Sequence, residues 1–368
     1  MNRDLVRTIW IFTIIIIAFG LLTLYSASYQ NVRVSHKVFY DQLFMAGLGL
    51  ITMFFLERMN YRRFFDIAYV LYGINIVVLL LVLVKGRHAL GASRWLEIGG
   101  ISFQPSELTK LVIILTLGRY FSQHKEAFSF RFWGGKQIIF RDLLIPLGIV
   151  AAPMYLIFKQ PDLGTAVLVF GIFFIMLFAS GVRYRIISGF LIFCLVATPF
   201  AWHVLKPYQR DRLLVFLNPN IDPLGAGYTI IQSKIAIGSG QIFGKGWLSG
   251  TQNQLNFLPE RHTDFIFSVI GEEWGLWGAL LLIFSYFSII NCGFKIAEHN
   301  KDPFGTLVTI GIVGILALQV TINIGMVSGL CPVVGITLPL VSYGRTSFMM
   351  FVIMVGFLLN LARRRTVF

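Results

Sequence analysis

The chain has 368 residues, of which 56% are hydrophobic and 13% are charged, and its mean hydropathy is +0.75. Soluble domains are about 45 to 50% apolar and about 25% charged, so this composition excludes a soluble globular protein, a disordered chain and a disulfide scaffold. A multi-pass membrane protein remains. The net charge of +14 would suggest a nucleic acid partner in a soluble protein. Here it indicates basic cytoplasmic loops, and we expect no nucleic acid partner.

Apolar runs close to the roughly 20 residues that cross a bilayer predict ten transmembrane helices. The first run is long enough to span, so we expect it to be an uncleaved helix and not a signal peptide. In chain order the predicted spans are residues 9–25, 43–56, 67–84, 107–121, 143–158, 165–180, 185–203, 265–292, 305–327 and 338–362. The sequence therefore predicts an all-α polytopic membrane protein that forms one domain over residues 1–368.

The distribution of Lys and Arg predicts that both termini are cytoplasmic. In this orientation, basic residues are more than twice as numerous in the inner segments as in the short outer loops, which is the bias typical of membrane proteins. Residues 204–264, between the seventh and eighth spans, are then a large extracytoplasmic loop. A connection of this length in a compact protein usually has a function.

Charged residues at membrane depth are costly, so they are the first candidates for function. Glu107 and Lys110 lie three residues apart at the start of the fourth span, after Pro105, which suits the first turn of a helix. They could form a local ion pair that lets two charges enter the helix end, or they could face a ligand. The residues alone leave both alternatives open.

Lys159 and Asp162 interrupt an otherwise apolar stretch between the fifth and sixth spans. A tight turn explains Pro161 and Gly164, but it does not explain the two charges. Irregular backbone flanked by charge in a membrane protein commonly lines a cavity. We therefore favour a cavity-lining role for both residues over a simple turn.

The long loop combines glycines with basic residues. Such segments can present backbone N–H groups and cations to phosphate oxygens. Gly-x-Gly pairs alone are weak indicators, so a solvated loop is the alternative. The candidate phosphate-binding residues in this loop are Arg210, Arg212, Gln232, Lys234 and Lys245.

Residues 257–265 lead directly into the eighth span and contain Glu260, His262 and Asp264. With Pro259 as helix opener, Glu260 and Asp264 would share a helix face. The cluster could be a metal site, a general base with its supports, or an N-terminal cap favoured by the helix dipole. A base would need a raised pKa, and partial burial of Asp264 beside Glu260 would raise it.

Several motifs together form a specific pattern along nearly the whole chain, and residues 259–265 are the most diagnostic of them. The segments are residues 103–107, 160–165, 222–228, 232–240, 258–267, 325–330 and 332–335. This pattern resembles the SEDS family (shape, elongation, division and sporulation), and most closely its rod-shape members. Arg345 departs from the family, which usually has Gly at this position. We expect its long side chain to reach the lipid headgroups from the outer end of the last helix.

The resemblance implies a glycosyltransferase of the bacterial inner membrane that polymerises peptidoglycan from lipid II, the undecaprenyl-pyrophosphoryl disaccharide-pentapeptide. It implies a class B penicillin-binding protein as transpeptidase partner, together with other membrane proteins of the elongation complex. Asp264 would be the essential acid, with Glu260 beside it. The residues expected to line the substrate cavity or bind substrate also include Glu107, Lys110, Lys159, Asp162, His262 and Ser342.

The expected chemistry needs one base and positive charge. Pyrophosphate is a good leaving group, whereas the attacking sugar hydroxyl needs a base. Transfer from an α-linked donor to a β-linked product requires direct displacement with inversion. No cofactor is certain; Mg²⁺ or Mn²⁺ could assist the leaving group, but the sequence does not identify metal ligands.

A lipid II flippase is the alternative from another class. A transporter needs its key charge near the bilayer midplane, whereas Asp264 is expected at the outer surface, which favours an enzyme. A scaffold that recruits other wall enzymes would need none of these charges.

Overall fold

The computed structural model describes residues 2–29, 32–89, 92–98, 101–124, 140–182, 184–205 and 207–363. In this part of the chain there are thirteen α-helices. They are α1 (Asn2–Ser28), α2 (Val32–Leu56), α3 (Arg62–Lys85), α4 (Pro105–Gln123), α5 (Phe140–Lys159), α6 (Leu163–Ala179), α7 (Tyr184–Val204), α8 (Pro207–Leu217), α9 (Ala226–Gly240), α10 (Thr251–Gln254), α11 (Ile266–His299), α12 (Pro303–Val327) and α13 (Arg345–Arg363).

The ten predicted spans fall on α1 to α7 and α11 to α13. Among the described residues, six helices are long and apolar enough to cross a membrane: α1, α2, α3, α11, α12 and α13. Two shorter apolar helices lie within α5 and α6. The all-α polytopic class is confirmed. The number of crossings and the cytoplasmic termini stay predictions, and several of the basic residues behind that orientation lie outside the described residues.

The tenth predicted span begins too early. It was expected at residue 338, but α13 begins at Arg345, because residues 338–344 form an irregular segment. Ser342 Oγ accepts a hydrogen bond from the backbone N–H of Leu338 at 2.7 Å, which gives that group a partner outside a helix. The apolar side chains that suggested a helix, such as Leu340, are buried in the protein interior.

A small antiparallel sheet, which the all-α prediction did not include, lies between α3 and α4. Its strands are β1 (Arg87–Ala89), β2 (Ala92–Ile98) and β3 (Ile101–Phe103), in the order β1-β2-β3. Strand β2 contacts α3 and α4. The sheet therefore holds Arg94, in β2, close to the helix ends that surround the candidate site.

Residues 204–264 are mostly helical and are not an irregular loop, since they contain α8, α9 and α10. Helix α9 packs on α11 through glycines: a Cβ on Gly240 would lie 1.9 Å from the carbonyl oxygen of Gly271. The loop after α9 packs on a break in α11, where Gly275 has φ of 62°. Only glycine adopts this conformation readily, so the break is fixed by the sequence.

Helix α4 lies at the centre of the protein, and fifteen of its nineteen residues are buried. It packs against α3, α6 and α12. A helix buried on all sides carries its polar residues into the interior, where they need partners. This burial decides the environment of Glu107 and Lys110.

Candidate active site

Asp264 lies two residues before α11, at a junction of three chain segments. Asn323, buried in α12, donates from Nδ2 to the backbone oxygen of Asp264 at 3.0 Å and to that of Ile336 at 2.6 Å. One amide therefore joins the Asp264 turn to the loop that precedes α13. Two hydrogen bonds from a buried side chain fix the position of the Asp264 backbone.

Ser342 and Tyr343 fasten the same turn from a second direction. Ser342 Oγ donates to the backbone oxygen of Thr263 at 2.6 Å. The backbone N–H of Tyr343 donates to the backbone oxygen of His262 at 2.9 Å. Ser342, predicted as a substrate contact, thus positions the turn that carries Asp264. Burial lowers the pKa of His262 below its ordinary value, which favours the neutral imidazole.

The Asp264 carboxyl has the electrostatic environment of a base. Burial is the largest cause that raises its pKa to about 6, and the negative charge of Glu260 adds to the increase. The positive charges of Arg212 and Arg94 oppose it, and Asp162 raises it slightly. Asp264 is therefore mostly ionised at neutral pH and is a much stronger base than an ordinary aspartate.

The structure brings Arg94 to this site, a residue that the sequence analysis did not single out. Its Nε donates to the backbone oxygen of Gln160 at 3.4 Å, and Nη2 donates to that of Pro161. These bonds hold the guanidinium beside the turn between α5 and α6. No local spacing links Arg94 to Asp264, so the sequence contained no signal for this pairing.

Asp162 combines a structural role with a place near the site. It caps the N-terminus of α6, because its carboxylate accepts from Thr165 N at 3.3 Å and Thr165 Oγ1 at 2.9 Å. The carboxylate also accepts hydrogen bonds from Ser106 Oγ at 3.0 Å and from Gln104 Nε2 at 3.1 Å. The carboxylate thus joins the starts of α4 and α6. The structure places it within electrostatic reach of Asp264.

Glu107 and Lys110 form a buried ion pair, with Lys110 Nζ 2.7 Å from Glu107 Oε2. Lys110 is 0% exposed, and its Nζ also donates to Gln319 Oε1 of α12 at 2.9 Å. Gln319 in turn donates to the backbone oxygen of Thr337 at 2.9 Å. These contacts agree with the first alternative from the sequence, a local ion pair that lets two charges enter the helix end. A substrate contact for either residue stays a prediction.

Lys245 and the glycines around it contact α11. The backbone N–H of Lys245 donates to Glu272 O, and that of Gly246 donates to Glu273 O, both at 3.0 Å. Lys245 Nζ lies 2.8 Å from the buried carboxylate of Glu272. The break at Gly275 leaves carbonyl groups of α11 without helical partners. These N–H groups therefore have a structural role, because they donate to those carbonyl groups. A phosphate contact for Lys245 stays a prediction.

The other predicted phosphate and cavity residues lie in separate places. Lys159 is exposed at the end of α5, with Nζ 5.5 Å from the centre of the Tyr155 ring. Arg210 donates from Nη2 to the backbone oxygen of His203 at 3.0 Å, at the end of α7. Gln232 and Lys234 lie on α9. Their substrate roles stay predictions.

A cavity of about 300 Å³ lies beside the Asp264 turn. Arg94 and Arg212 line it together with Val334, which precedes Gly335. A Cβ on Gly335 would lie 3.4 Å from Asp264 Oδ2. The loop at residues 334–335 therefore borders both the cavity and the Asp264 carboxyl.

Metal ligands do not assemble at the site. Within the described ranges, no group of three or more His, Cys, Asp or Glu side chains is placed to hold a metal ion. Glu260, His262 and Asp264 therefore do not form a metal site, which was one of the three alternatives that the sequence left open for this cluster. We assign no chemical step to a metal.

Residues 6–367 match the family described as "Cell cycle protein", FTSW_RODA_SPOVE. The chain belongs to this family. Peptidoglycan glycosyltransferase MrdB of Escherichia coli K12 is 40% identical over 351 residues, which are 95% of this chain and 90% of that protein. Stage V sporulation protein E of Bacillus subtilis is 38% identical over 362 residues, 96% of this chain and 95% of its own.

Solved structures show the same fold. A chain from "Structural coordination of polymerization and crosslinking by a peptidoglycan synthase complex" gives a TM-score of 0.79 at 34% identity, with 96% of both chains covered. The rod shape determining protein RodA of Thermus thermophilus gives 0.69 at 29% identity, with 96% of this chain and 95% of that chain covered. The family and the apolar helices identify a multi-pass protein of the bacterial inner membrane.

Proposed function

We propose that this chain is a peptidoglycan glycosyltransferase that polymerises lipid II during cell elongation. The observation that carries the proposal is the Asp264 carboxyl, which lies on a turn held by Asn323 and Ser342 and whose pKa, raised to about 6 by burial, suits a general base at neutral pH. The names of related proteins, which include peptidoglycan glycosyltransferases MrdB and RodA, support the same activity. Its bacterial membrane setting agrees with a lipid-linked substrate.

The reaction assigned to Asp264 is a single displacement. A sugar hydroxyl oxygen attacks the anomeric carbon of the donor, and the hydroxyl proton passes to the Asp264 carboxylate. The bond between the anomeric carbon and the pyrophosphate oxygen breaks, and its electron pair leaves with undecaprenyl pyrophosphate. Attack opposite the leaving group inverts the anomeric carbon, so the mechanism contains no covalent sugar on the protein.

The rigid Asp264 turn supports this role. Asn323 and Ser342 hold its backbone from two sides, so little reorganisation is needed when the proton moves. Glu260 keeps the carboxylate basic through its negative charge. We propose Glu260 as an electrostatic support and Asp264 as the group that takes the proton.

The proposed partner is a class B penicillin-binding protein that cross-links the new strands, within an elongation complex of membrane proteins. The support is a similar chain in a solved peptidoglycan synthase complex that coordinates polymerisation and crosslinking. A partner of this kind would add transpeptidase activity to the proposed polymerase.

Purified full-length protein in lipid nanodiscs, supplied with lipid II, tests the proposal. Wild type should form glycan strands, and Asp264→Asn should reduce the rate by roughly 10²- to 10⁴-fold, as expected for loss of a general base. Asp211→Asn is the matched control, because Asp211 is an exposed acid on α8. Parallel assays with and without Mg²⁺ would measure any metal requirement.

Three outcomes would contradict the proposal. Near wild-type polymerisation by Asp264→Asn would exclude this carboxylate as the base. Loss of lipid II binding in the same variant, with correct folding, would make Asp264 a recognition residue. If wild type moved lipid II between leaflets without forming strands, the flippase alternative would replace the enzyme.

A further inference from the structure

Arg261 lies three residues before Asp264 and binds the backbone of two other segments. Its Nε donates to the backbone oxygen of Ala27, at the end of α1, at 2.6 Å. Its Nη1 donates to the backbone oxygen of Asn253, in α10, at 2.9 Å. The last carbonyl groups of a helix have no partner within the helix, so the end of α1 offers acceptors to a cation. One guanidinium group therefore joins the Asp264 turn to α1 and to α10.

Two buried acids of α11 hold the segment that Arg261 binds. Asn253 is 2% exposed, and its Nδ2 donates to Glu273 Oε1 at 3.2 Å and to the backbone oxygen of Ser26 at 3.1 Å. Ser26 Oγ donates to the same carboxylate oxygen, and the backbone N–H of Asn253 donates to Glu272 Oε2 at 3.2 Å. Hydrogen bonds are stronger in the protein interior than in water, so these contacts fix Asn253 against the end of α1.

The backbone directly before Arg261 has a conformation that needs support. Glu260 has φ of 47°, in the left-handed region that residues other than glycine adopt only at a cost. Such a conformation persists where surrounding contacts hold it. The Asp264 turn begins here, since the backbone N–H of Thr263 donates to the backbone oxygen of Glu260 at 3.1 Å. Arg261 therefore anchors the start of the turn whose end is held from α12 and from the loop before α13.

Arg261 differs from the two arginines beside the cavity. Arg94 and Arg212 are among the described lining residues, whereas Arg261 is not. The charges that shift the pKa of Asp264 are those of Glu260, Arg212, Arg94 and Asp162. Arg261 therefore acts on the base through the position of the backbone and not through its charge.

We propose that Arg261 is a positioning residue for glycosyl transfer, and that Asn253 and Glu273 form the surface against which it holds the Asp264 turn. The inference rests on the proposed glycosyltransferase function and adds to it a contact that sets the distance between the base and the attacking hydroxyl. A base must lie within hydrogen-bond reach of the proton that it takes, and a displacement of about 1 Å costs roughly 10²-fold in rate. Loss of the contact should therefore lower kcat and leave KM nearly unchanged.

The test measures polymerisation kinetics and lipid II binding of the full chain in nanodiscs for Arg261→Lys and Arg261→Gln. The Lys variant keeps the positive charge but lacks the planar group that donates in two directions. Both variants should lower kcat roughly 10- to 100-fold at nearly unchanged lipid II affinity. Rates refer to folded protein, which thermal unfolding quantifies, and the Lys variant alone is sufficient if the Gln variant does not fold. Lys85→Gln, at an exposed cation at the end of α3, is the matched control and should polymerise as wild type does.

The pH dependence of the single-turnover rate separates a positional role from an electrostatic one. The charge of Arg261 is not among those that shift the pKa of Asp264, so the midpoint should stay at about 6 in both variants. Removal of a cation that stabilised the carboxylate would raise this pKa. A midpoint that moves to higher pH in Arg261→Gln but not in Arg261→Lys would therefore overturn the proposal.

A second position tests whether the buried surface acts through Arg261. Asn253→Ala removes the side chain that is bonded to Glu273 and Ser26, so it should lower kcat through the same displacement. Because both changes then remove one contact, the double variant with Arg261→Gln should be little slower than Arg261→Gln alone. Losses that multiply would overturn this coupling. Asn220→Ala, at an exposed asparagine between α8 and α9, is the control and should keep the wild-type rate.

The proposal and the polymerase function fail in different ways. If wild type polymerises lipid II and both Arg261 variants do so at the same rate, the positioning role is wrong and the function stands. The same conclusion follows if Arg261→Lys keeps the wild-type rate, or if the variants raise only KM, because Arg261 would then act by its charge or bind substrate. If wild type does not polymerise lipid II, the function itself is wrong.

Discussion

Replacement of Lys110 by Met should destabilise the protein strongly. Lys110 is 0% exposed, and its Nζ lies 2.7 Å from Glu107 Oε2 and 2.9 Å from Gln319 Oε1. Lys110→Met keeps most of the side-chain volume but leaves the Glu107 carboxylate, which is 7% exposed, without its counter-charge. Breaking a buried pair in this way costs about 3–5 kcal/mol. Thermal unfolding of purified protein in detergent should show a clear decrease in stability.

The double variant Glu107→Gln with Lys110→Met is the matched control. It removes both charges, so no unpaired ion remains, and replacement of a whole buried pair is often neutral. We expect it to recover most of the stability lost in the single variant. A single variant as stable as wild type, or a double variant as unstable as the single, would refute the reasoning. A stable double variant without polymerisation would contradict a purely structural role for the pair.

Three further changes test other contacts. Arg345→Gly removes a partly exposed ion pair with Asp41, which contributes at most about 1 kcal/mol to stability. Polymerisation should therefore stay within a small factor of wild type. Complete loss of polymerisation would show that Arg345 has a role beyond this ion pair. Asn323→Ala leaves the part-buried backbone oxygen of Asp264 without this donor, and losing such a hydrogen bond lowers stability by about 1–3 kcal/mol. It should lower kcat at unchanged lipid II affinity, and the reverse pattern would contradict this. A cysteine replacing exposed Phe243 should react with an impermeant thiol reagent from outside only.

The pair formed by Arg345 and Asp41 differs from the expectation drawn from the sequence. A long cationic side chain at the outer end of a helix was expected to reach the lipid headgroups. In the structure, Arg345 instead contacts Asp41 of α2, and both side chains are about one quarter exposed, 23% and 28%. The partner could not be predicted because the two residues are far apart in the sequence.

Hydropathy predicted the helices well, because a long apolar segment in a membrane can form few structures other than a helix. It failed at residues 338–344. The apolar side chains there are buried in the protein, but the backbone is irregular and is held by hydrogen bonds of Ser342. It also missed the small sheet of β1 to β3, whose short strands carry little periodicity. Local composition does not distinguish these cases, because the contacts that decide them are long-range.

The candidate site was predictable only where its residues are close together in sequence. Asp264 and Glu260 were identified from one short segment, and in the structure burial and the charge of Glu260 raise the pKa of Asp264. Arg94 was missed because only the folded protein brings β2 to the start of α6. The glycines near Lys245 suggested backbone N–H groups that could bind phosphate, but the sequence did not reveal that these groups donate to carbonyl oxygens of α11.

The most direct test of the central claim is the pH dependence of single-turnover lipid II polymerisation. Asp264 accepts a proton only when ionised, and its pKa is about 6. The rate should therefore rise with pH through about 6 and become constant above it. Glu260→Gln removes a negative charge that raises this pKa, so the midpoint should move to lower pH. A rate independent of pH across this range, or a midpoint that Glu260→Gln leaves unchanged, would contradict Asp264 as the general base.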